Sequence, residues 1–516
     1  MRLLNILWRQ KAKILIVVLA FLISFLTISP ILKGGTDKVF YAIDPDVVYA
    51  ANAFLYAKSG YVSYFDHPGT PAIVLISFFL IPLRIYAKFV QHTPFISWVF
   101  NHYALTFFYL RVSQSVLLFT SLLILSVAMR LLVKKMAPIF LLFLALLSFS
   151  SFYDIGATIS ADTFAFFIAS VWLLLLSHCF IRKDNLFLFL LALTAGIAFA
   201  DRATNFFLLP ASLAVVLIEK NGFREKILMT FFSVVIMVTG FVIGVSPTRT
   251  HLTTILKTIF GFASTTGIHM SGEKTLFSYK AFISSAATFF YRDTLATVIV
   301  IAVTILAITC LFMRQKSYKK IAFVVLIFSL GAVVFAKFPL LHYQIANYLV
   351  IVFCGAFIFA RLPKRIVYLV MIILLFFVMP ISKEYLTSKT MTLNQAGFLE
   401  QFAKDNPPKY ASVWQWAPIK EYAYLWNRDY ADGMFDTELS GLPVKIYELT
   451  PNLMKIGVSK YTDVNIFSTC WDELYVNKSS INSILNRYPE LSKSVQEIPG
   501  VDMLLLRSSH CQTMKF

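Results

Sequence analysis

Long apolar runs separated by short charged segments fill the first 381 positions of this 516-residue chain. Ile14 to Leu32 is the first run, free of charge and close to the ~20 apolar residues that a membrane-crossing helix needs. The same pattern recurs in Thr70 to Phe89, Phe95 to Leu110, Val112 to Leu132, Ala137 to Phe152, Thr163 to Phe180, Leu186 to Ala200 and Phe206 to Ile218. It continues in Ile227 to Val245, Thr294 to Met313, Ile321 to Ala336, Ile345 to Phe359 and Ile366 to Pro380. These runs predict about thirteen crossings, several of them shorter than a straight span prefers. Between Phe95 and Leu132 the polar residues Asn101, His102 and Arg111 interrupt the pattern. Two spans there require a tight turn, and one broken or re-entrant helix is the alternative.

The pattern changes after position 381. Short alternating runs, Tyr410 to Trp414 and Val501 to Leu506, read as strands, and Pro418 to Trp426 and Ser480 to Tyr488 read as helices. The predicted architecture is therefore an all-α polytopic membrane bundle over residues 1–381, followed by a small C-terminal α/β domain over residues 382–516.

Charge gives this map a direction. The chain carries a formal net charge of +19, yet residues 382–516 hold 14 basic and 15 acidic groups, so the excess lies in the bundle. There the basic residues cluster between apolar runs: Arg9/Lys11/Lys13, Arg130/Lys134/Lys135, Arg182/Lys183, Lys220/Arg224/Lys226, Arg314/Lys316/Lys319/Lys320 and Arg361/Lys364/Arg365. Short basic loops mark the cytoplasmic face of a membrane protein, so the charge calls for no nucleic-acid partner. The N-terminus is then cytoplasmic. Ile14 to Leu32 lacks a following small-residue cleavage site and reads as a retained anchor. An odd number of crossings makes the C-terminal domain extracytoplasmic. On this map nine acids, Asp37, Asp44, Asp46, Asp66, Asp154, Asp162, Asp201, Glu273 and Asp293, face outward, and three, Asp184, Glu219 and Glu225, face inward. The outer face is the expected working surface. Hydrophobic residues make up 58% of the chain, and the 51 Phe among them suit lipid-facing and core positions. Cys179, Cys310 and Cys354 fall in expected spans as packing residues, whereas Cys470 and Cys511 fall in the outer domain, where a disulfide is permitted.

Two short motifs in the first outer loop, residues 33–69, carry candidate chemistry. Asp44-Pro45-Asp46 opens an apolar stretch through Tyr56. Asp44 suits an N-cap, Pro45 the first helical position and Asp46 the positive end of the helix dipole, so a juxtamembrane helix is expected whatever the function. A carboxylate aimed from such a helix start is also suited to act as a general base. Asp44 is the first candidate for that role and Asp46 the second. The second motif, Asp66-His67-Pro68-Gly69-Thr70-Pro71, is a turn that starts a span, and its adjacent carboxylate and imidazole can also orient a reacting group or hold a phosphate.

These motifs, with the number of spans and the C-terminal domain, resemble the class C (GT-C) integral-membrane glycosyltransferases, a class that includes aminoarabinose transferases and protein O-mannosyltransferases. The local similarity of Asp44–Ala53 and Asp66–Pro71 is to a bacterial branch of the class. Ser160-Ala161-Asp162-Thr163 resembles the acid that these enzymes carry at a later outer helix end, and His342-Tyr343-Gln344 resembles their late motif, with Gln344 where Arg is often found. The resemblance implies a polyprenyl-phosphate sugar as donor, an acidic loop residue as base, and a multi-pass location in a bacterial inner (plasma) membrane. The acceptor hydroxyl can belong to a lipid, a glycan or a protein.

A phosphate leaving group requires its charge to be neutralised. Arg202, Arg249, Arg292 and Lys337 are the cationic candidates at the outer rim, with His342 as a neutral donor and Asp66, His67, Asp162 and Gln344 as further substrate-binding residues. Arg202 stands out because Asp201-Arg202 interrupts two apolar runs, although an ion pair or a snorkelling side chain explains it equally well. Residues 246–292 form a long outer segment, expected as a loop that covers the donor. No cofactor is firmly expected; Asp44 and Asp46 can bind a divalent cation, but acids at i and i+2 do not define a metal site. Two other readings stay open: a secondary transporter, which would favour inverted repeats and mid-bilayer charges, and a surface-polysaccharide polymerase or ligase using a pyrophosphate-linked donor.

Overall fold

A computed structural model of the chain describes residues 2–34, 46–63, 69–182, 184–220, 222–248, 252–265, 275, 278–313, 316–335, 341–406, 411–414, 431–440, 445–449, 455–457, 463–465, 471–486, 489–498 and 501–507. Eighteen helices run in order through the first part: α1 (Arg2–Gly34), α2 (Asp46–Ser59), α3 (Thr70–Phe79), α4 (Ile81–Phe89), α5 (Phe95–Asn101), α6 (Tyr103–Leu132), α7 (Ala137–Leu147), α8 (Phe152–Ile155) and α9 (Ala161–Arg182). They continue as α10 (Asn185–Asp201), α11 (Leu208–Glu219), α12 (Phe223–Val245), α13 (Leu252–Ala263), α14 (Tyr279–Arg292), α15 (Thr294–Leu311), α16 (Lys316–Phe335), α17 (Ile345–Phe359) and α18 (Lys364–Asp405). Among the described residues seven helices are long and apolar enough to cross a membrane, or eight if α3 and α4, bent by 42° at Leu80, form one span. Four shorter apolar helices accompany them, among them Ala137–Leu147 and Asn185–Asp201.

The chain forms two compact units that do not follow sequence order. The first comprises Met1–Ser29, Phe65–Leu75 and Val112–Leu386. Its helices pack at very short range where glycines allow it. A Cβ on Gly196 of α10 would overlap the Met237 carbonyl of α12, and one on Gly240 of α12 would lie 2.5 Å from the Leu193 carbonyl. Small residues let two backbones approach in this way inside a membrane. The charge-sorted loops gather at opposite ends of this unit. At one end Lys135 donates to the Ala360 carbonyl at 3.2 Å and Lys320 pairs with Glu219. At the other, Ser150 meets Asp293 and Tyr385 donates to the Tyr153 carbonyl at 3.0 Å.

The second unit comprises Pro30–Tyr64, Ile76–Arg111 and Thr387–Phe516. Its sheet has seven strands: β1 (Ala411–Trp414), β2 (Lys445–Leu449), β3 (Lys455–Gly457), β4 (Asp463–Asn465), β5 (Glu473–Asn477), β6 (Val495–Glu497) and β7 (Met503–Arg507), in the order β4-β3-β2-β1-β5-β7-β6. β1 pairs in parallel with β2 and β5, and the outer pairs are antiparallel. Alternation along β5 and β7 puts Leu474, Val476, Leu504 and Leu506 on one face, where they pack with Val413, Trp471 and Ile484. Two short helices complete the described part of this region, α19 (Asp436–Ser440) and α20 (Ile481–Leu485).

Within this unit the turn 431–435 docks onto the early helices. Phe435, 2% exposed, lies in an aromatic box with Phe54 of α2, Phe100 of α5 and Tyr103 of α6. Tyr61 donates to Asp432 at 2.8 Å, and Ser97 donates to Glu438 at 2.9 Å. The first loop helix and the C-terminal region are thus in direct contact.

Two expectations from hydropathy are corrected. Phe95 to Leu132 is not a pair of spans: α5 is short, and α6 runs unbroken through Arg111. Arg111 is tolerated there because Asp46 neutralises it. Residues 246–292 are not simply a loop, since they contain α13 and α14. Ile255 and Ile259, one turn apart, bury one face of α13 against Ala200 and Val245. Cys179, Cys310 and Cys354 are buried free thiols, as packing residues would be. Pro418–Trp426, Cys470 and Cys511 lie outside the described residues.

Candidate functional site

In the first unit, three distant segments bring a carboxylate, a guanidinium and two rings together. Asp162 stands in the first turn of α9, where its backbone N–H donates to the Ser160 hydroxyl at 3.2 Å. Arg202 follows the last residue of α10 in an extended conformation, φ −155° and ψ 129°, which ends that helix and turns its side chain toward α9. Asn205 holds the break: its backbone N–H donates to the Arg202 carbonyl at 2.9 Å and its side chain to the Ala198 carbonyl at 2.8 Å.

Arg202 Nη1 pairs with Asp162 Oδ1 and lies 3.5 Å from the His342 carbonyl. The guanidinium also sits over the Tyr343 ring, 5.1 Å from its centre, and the His342 ring packs edge-on against Tyr343 at 4.5 Å. His342 and Tyr343 belong to a 3-10 turn, Leu341–Gln344, at the start of α17. The two charged side chains are 13% and 12% exposed, so the pair is sheltered yet reachable.

Asp201, fully buried, completes the neighbourhood. Its carboxylate approaches the Ala72 backbone amide in the first turn of α3, without a hydrogen bond of full geometry. The start of α3, which follows the Asp66-His67-Pro68-Gly69 motif directly, is therefore beside Asp201-Arg202. Chemically, a guanidinium presents five N–H donors in a fork, so it can serve a carboxylate and an anionic ligand together.

Of the residues singled out by sequence, Asp162, Arg202 and His342 converge. Gln344 is in the same turn but faces away, donating to the Ala332 carbonyl at 3.2 Å and accepting from Asn347 at 3.1 Å. Arg292 is exposed at the end of α14. Next to it, burial pushes the Asp293 carboxyl above its ordinary value, opposed by two hydrogen bonds from Ser150. Asp44, Asp66, His67, Arg249 and Lys337 lie outside the described residues.

Asp46 belongs to the second unit and is fully committed there. Its Oδ2 accepts from Arg111 Nη2 at 2.5 Å and from Nε at 3.1 Å, with side chains 0% and 1% exposed. Sequence reasoning missed this pairing, and it missed Tyr343 as the ring beneath Arg202. The signal for the first was present: a lone Arg in an apolar run implies a hidden partner. Among the described residues no three His, Cys, Asp or Glu side chains converge as a metal site would require.

No family model matches the sequence, and no curated protein matches it either. The fold, in contrast, is shared. The crystal structure of ArnT from Cupriavidus metallidurans bound to undecaprenyl phosphate superimposes with a TM-score of 0.51 at 11% identity, covering 96% of this chain and 98% of that one. The chain therefore shares the fold of that protein, a polytopic helical bundle with a small C-terminal α/β region.

Proposed function

We propose that this protein is an inverting membrane glycosyltransferase that moves a sugar from a polyprenyl-phosphate donor to an acceptor hydroxyl at the outer face of a bacterial inner membrane. The observation that carries this reading is the Asp162–Arg202–Tyr343 cluster, set at the loop end of the bundle in a fold shared with ArnT, a glycosyltransferase captured with undecaprenyl phosphate.

Lipid-linked sugar phosphate is an activated donor, and stabilising the phosphate as it departs is the main task of the site. Arg202 is placed to take that charge while Asp162 holds its side chain. Asp44 is the general base: it takes the proton from the acceptor hydroxyl, whose oxygen bonds to the anomeric carbon from the face opposite phosphate. The anomeric C–O bond breaks, and its electron pair leaves with the polyprenyl phosphate. Asp46, bound to Arg111, anchors the first turn of α2. The contact of α2 with the turn 431–435 supports a shared compartment for the first loop and the C-terminal region.

Binding of undecaprenyl phosphate tests the phosphate assignment. Arg202→Met should weaken it at least about tenfold, the equivalent of 1.4 kcal/mol, and Arg202→Lys should restore part of the loss. Unchanged binding in Arg202→Met with a native melting profile would remove Arg202 from the site.

A further inference from the structure

A second carboxylate, Asp154, stands beside the Asp162–Arg202 pair in the first unit and has no part in the phosphate chemistry assigned to that pair. It belongs to the single turn α8, and the loop that follows folds back on that turn. The Asp154 carbonyl accepts from the Ala157 amide at 3.1 Å, from the Thr158 amide at 2.9 Å and from the Thr158 hydroxyl at 2.9 Å. Thr158 then meets the Ser160 hydroxyl at 3.2 Å, Ser160 donates to Asp162 Oδ2 at 3.4 Å, and Thr163 donates to the Ile155 carbonyl. Residues 154–163 thus close on themselves, with Asp154 near one end and Asp162 near the other.

The Asp154 side chain is gripped from another direction. Tyr385 of α18 donates to the Tyr153 carbonyl at 3.0 Å and to Asp154 Oδ1 at 3.4 Å. Its ring stacks on that of Tyr153, with centres 4.8 Å apart and planes 29° from parallel, and the Tyr153 hydroxyl meets Ser382 at 2.6 Å. A carboxylate held by a folded loop and a packed phenol keeps a fixed direction. It also has two oxygens and about four lone-pair sites, more than one phenol fills.

His342 links this carboxylate to the phosphate site. Asp154 is half-buried and close enough for its charge to act on the His342 imidazole, as the charges of Asp162 and Arg202 also do. The carbonyl of the same residue is 3.5 Å from Arg202 Nη1.

Sugar hydroxyls need acceptors of this kind once they leave water, because a buried donor without a partner is costly. In a polyprenyl-phosphate sugar the anomeric carbon is bonded directly to a phosphate oxygen, so a phosphate at Arg202 puts the ring among the residues around that guanidinium. Asp162 is committed to Arg202. Asp154 is the further charged acceptor at hand.

We infer that Asp154, oriented by Tyr385, binds hydroxyl groups of the transferred sugar and so sets which sugar the protein accepts. The assignment rests on the lipid-phosphate reading of Arg202, but it concerns a contact that bare polyprenyl phosphate does not make.

Paired binding measurements on the full chain in detergent separate the sugar from the lipid phosphate. The probes are undecaprenyl phosphate and its glucosyl, mannosyl, galactosyl and arabinosyl derivatives. Wild-type protein should bind at least one derivative about tenfold tighter than the bare phosphate. Asp154→Ala should abolish that gain while its affinity for undecaprenyl phosphate stays within about twofold of wild type. Tyr385→Phe keeps the ring stack and loses the donated hydrogen bond, so it should lose part of the gain. If Asp154→Ala does not fold, Asp154→Asn, which keeps the shape and one acceptor oxygen, should lose part of the gain in its place. A gain that persists in full in the Asp154 variant, no gain for any derivative in wild type, or an equal loss of both ligands, as a purely structural role would give, overturns the assignment. Arg202→Met keeps the two readings apart: unchanged affinity for the bare phosphate in that variant removes Arg202 from the phosphate site, whereas the sugar-dependent gain is read at Asp154.

Discussion

Arg111 and Asp46, 65 positions apart, meet at 2.5 Å with both side chains sealed from solvent. The pair ties the first turn of α2 to the first third of α6, and both side chains are shielded from water. Breaking a buried ion pair by removing one partner typically costs about 3–5 kcal/mol. Asp46→Asn and Arg111→Leu should each lower the melting temperature in detergent markedly, whereas the double change Asp46→Leu/Arg111→Met should cost much less than the sum. Strict additivity would show that the two residues do not act as a pair.

The contact of α10 with α12 offers a second test, confined to packing. Gly240→Ala places a methyl group 2.5 Å from the Leu193 carbonyl, a backbone atom with no room to retreat. Overpacking of this kind costs typically about 1–3 kcal/mol. Thermal unfolding should register that loss. By contrast, Gly222→Ala, where the nearest atom is the flexible Glu225 side chain at 3.8 Å, should cause little change.

Acidity should act on the sheet through Glu473. Burial raises its carboxyl above the ordinary 4.5, while hydrogen bonding from Tyr475 at 2.7 Å and the Arg507 charge lower it; the Asp472 charge raises it. A raised folded-state value means the folded form binds the proton more tightly. The resulting stability is complete below 4.5 and is lost as pH rises through the folded value. Amide exchange in Glu473–Asn477 and Met503–Arg507, corrected for intrinsic rates, should be slower in mild acid than at neutral pH. Glu473→Gln should flatten that dependence, and an unaltered profile in the variant would assign it to another group.

Much of this arrangement was legible in the sequence because membrane insertion imposes a simple code. Apolar runs located most of the long helices; Arg202 was picked out as a charge interrupting two apolar runs, and Asp162 and His342 through motifs that resemble those of the GT-C class. Pairing was what the code could not carry. Arg111 looked like a break between two spans because hydropathy counts a charge without seeing the Asp46 that cancels it. The helices α13 and α14 were hidden for another reason: at 12 and 14 residues they are too short to read as spans, and their apolar residues gather on one face. Tyr343 was named within the His342-Tyr343-Gln344 motif, but nothing in the sequence placed its ring under Arg202, where the backbone turn brings it.

Sugar transfer itself is the decisive measurement. The purified full chain, supplied with radiolabelled polyprenyl-phosphate sugars and a membrane extract as acceptor, should form a labelled product of inverted anomeric configuration. Asp44→Asn should reduce that rate roughly a hundred- to ten-thousand-fold, the usual contribution of a general base, with expression and melting unchanged. Full transfer by Asp44→Asn would contradict the proposed mechanism.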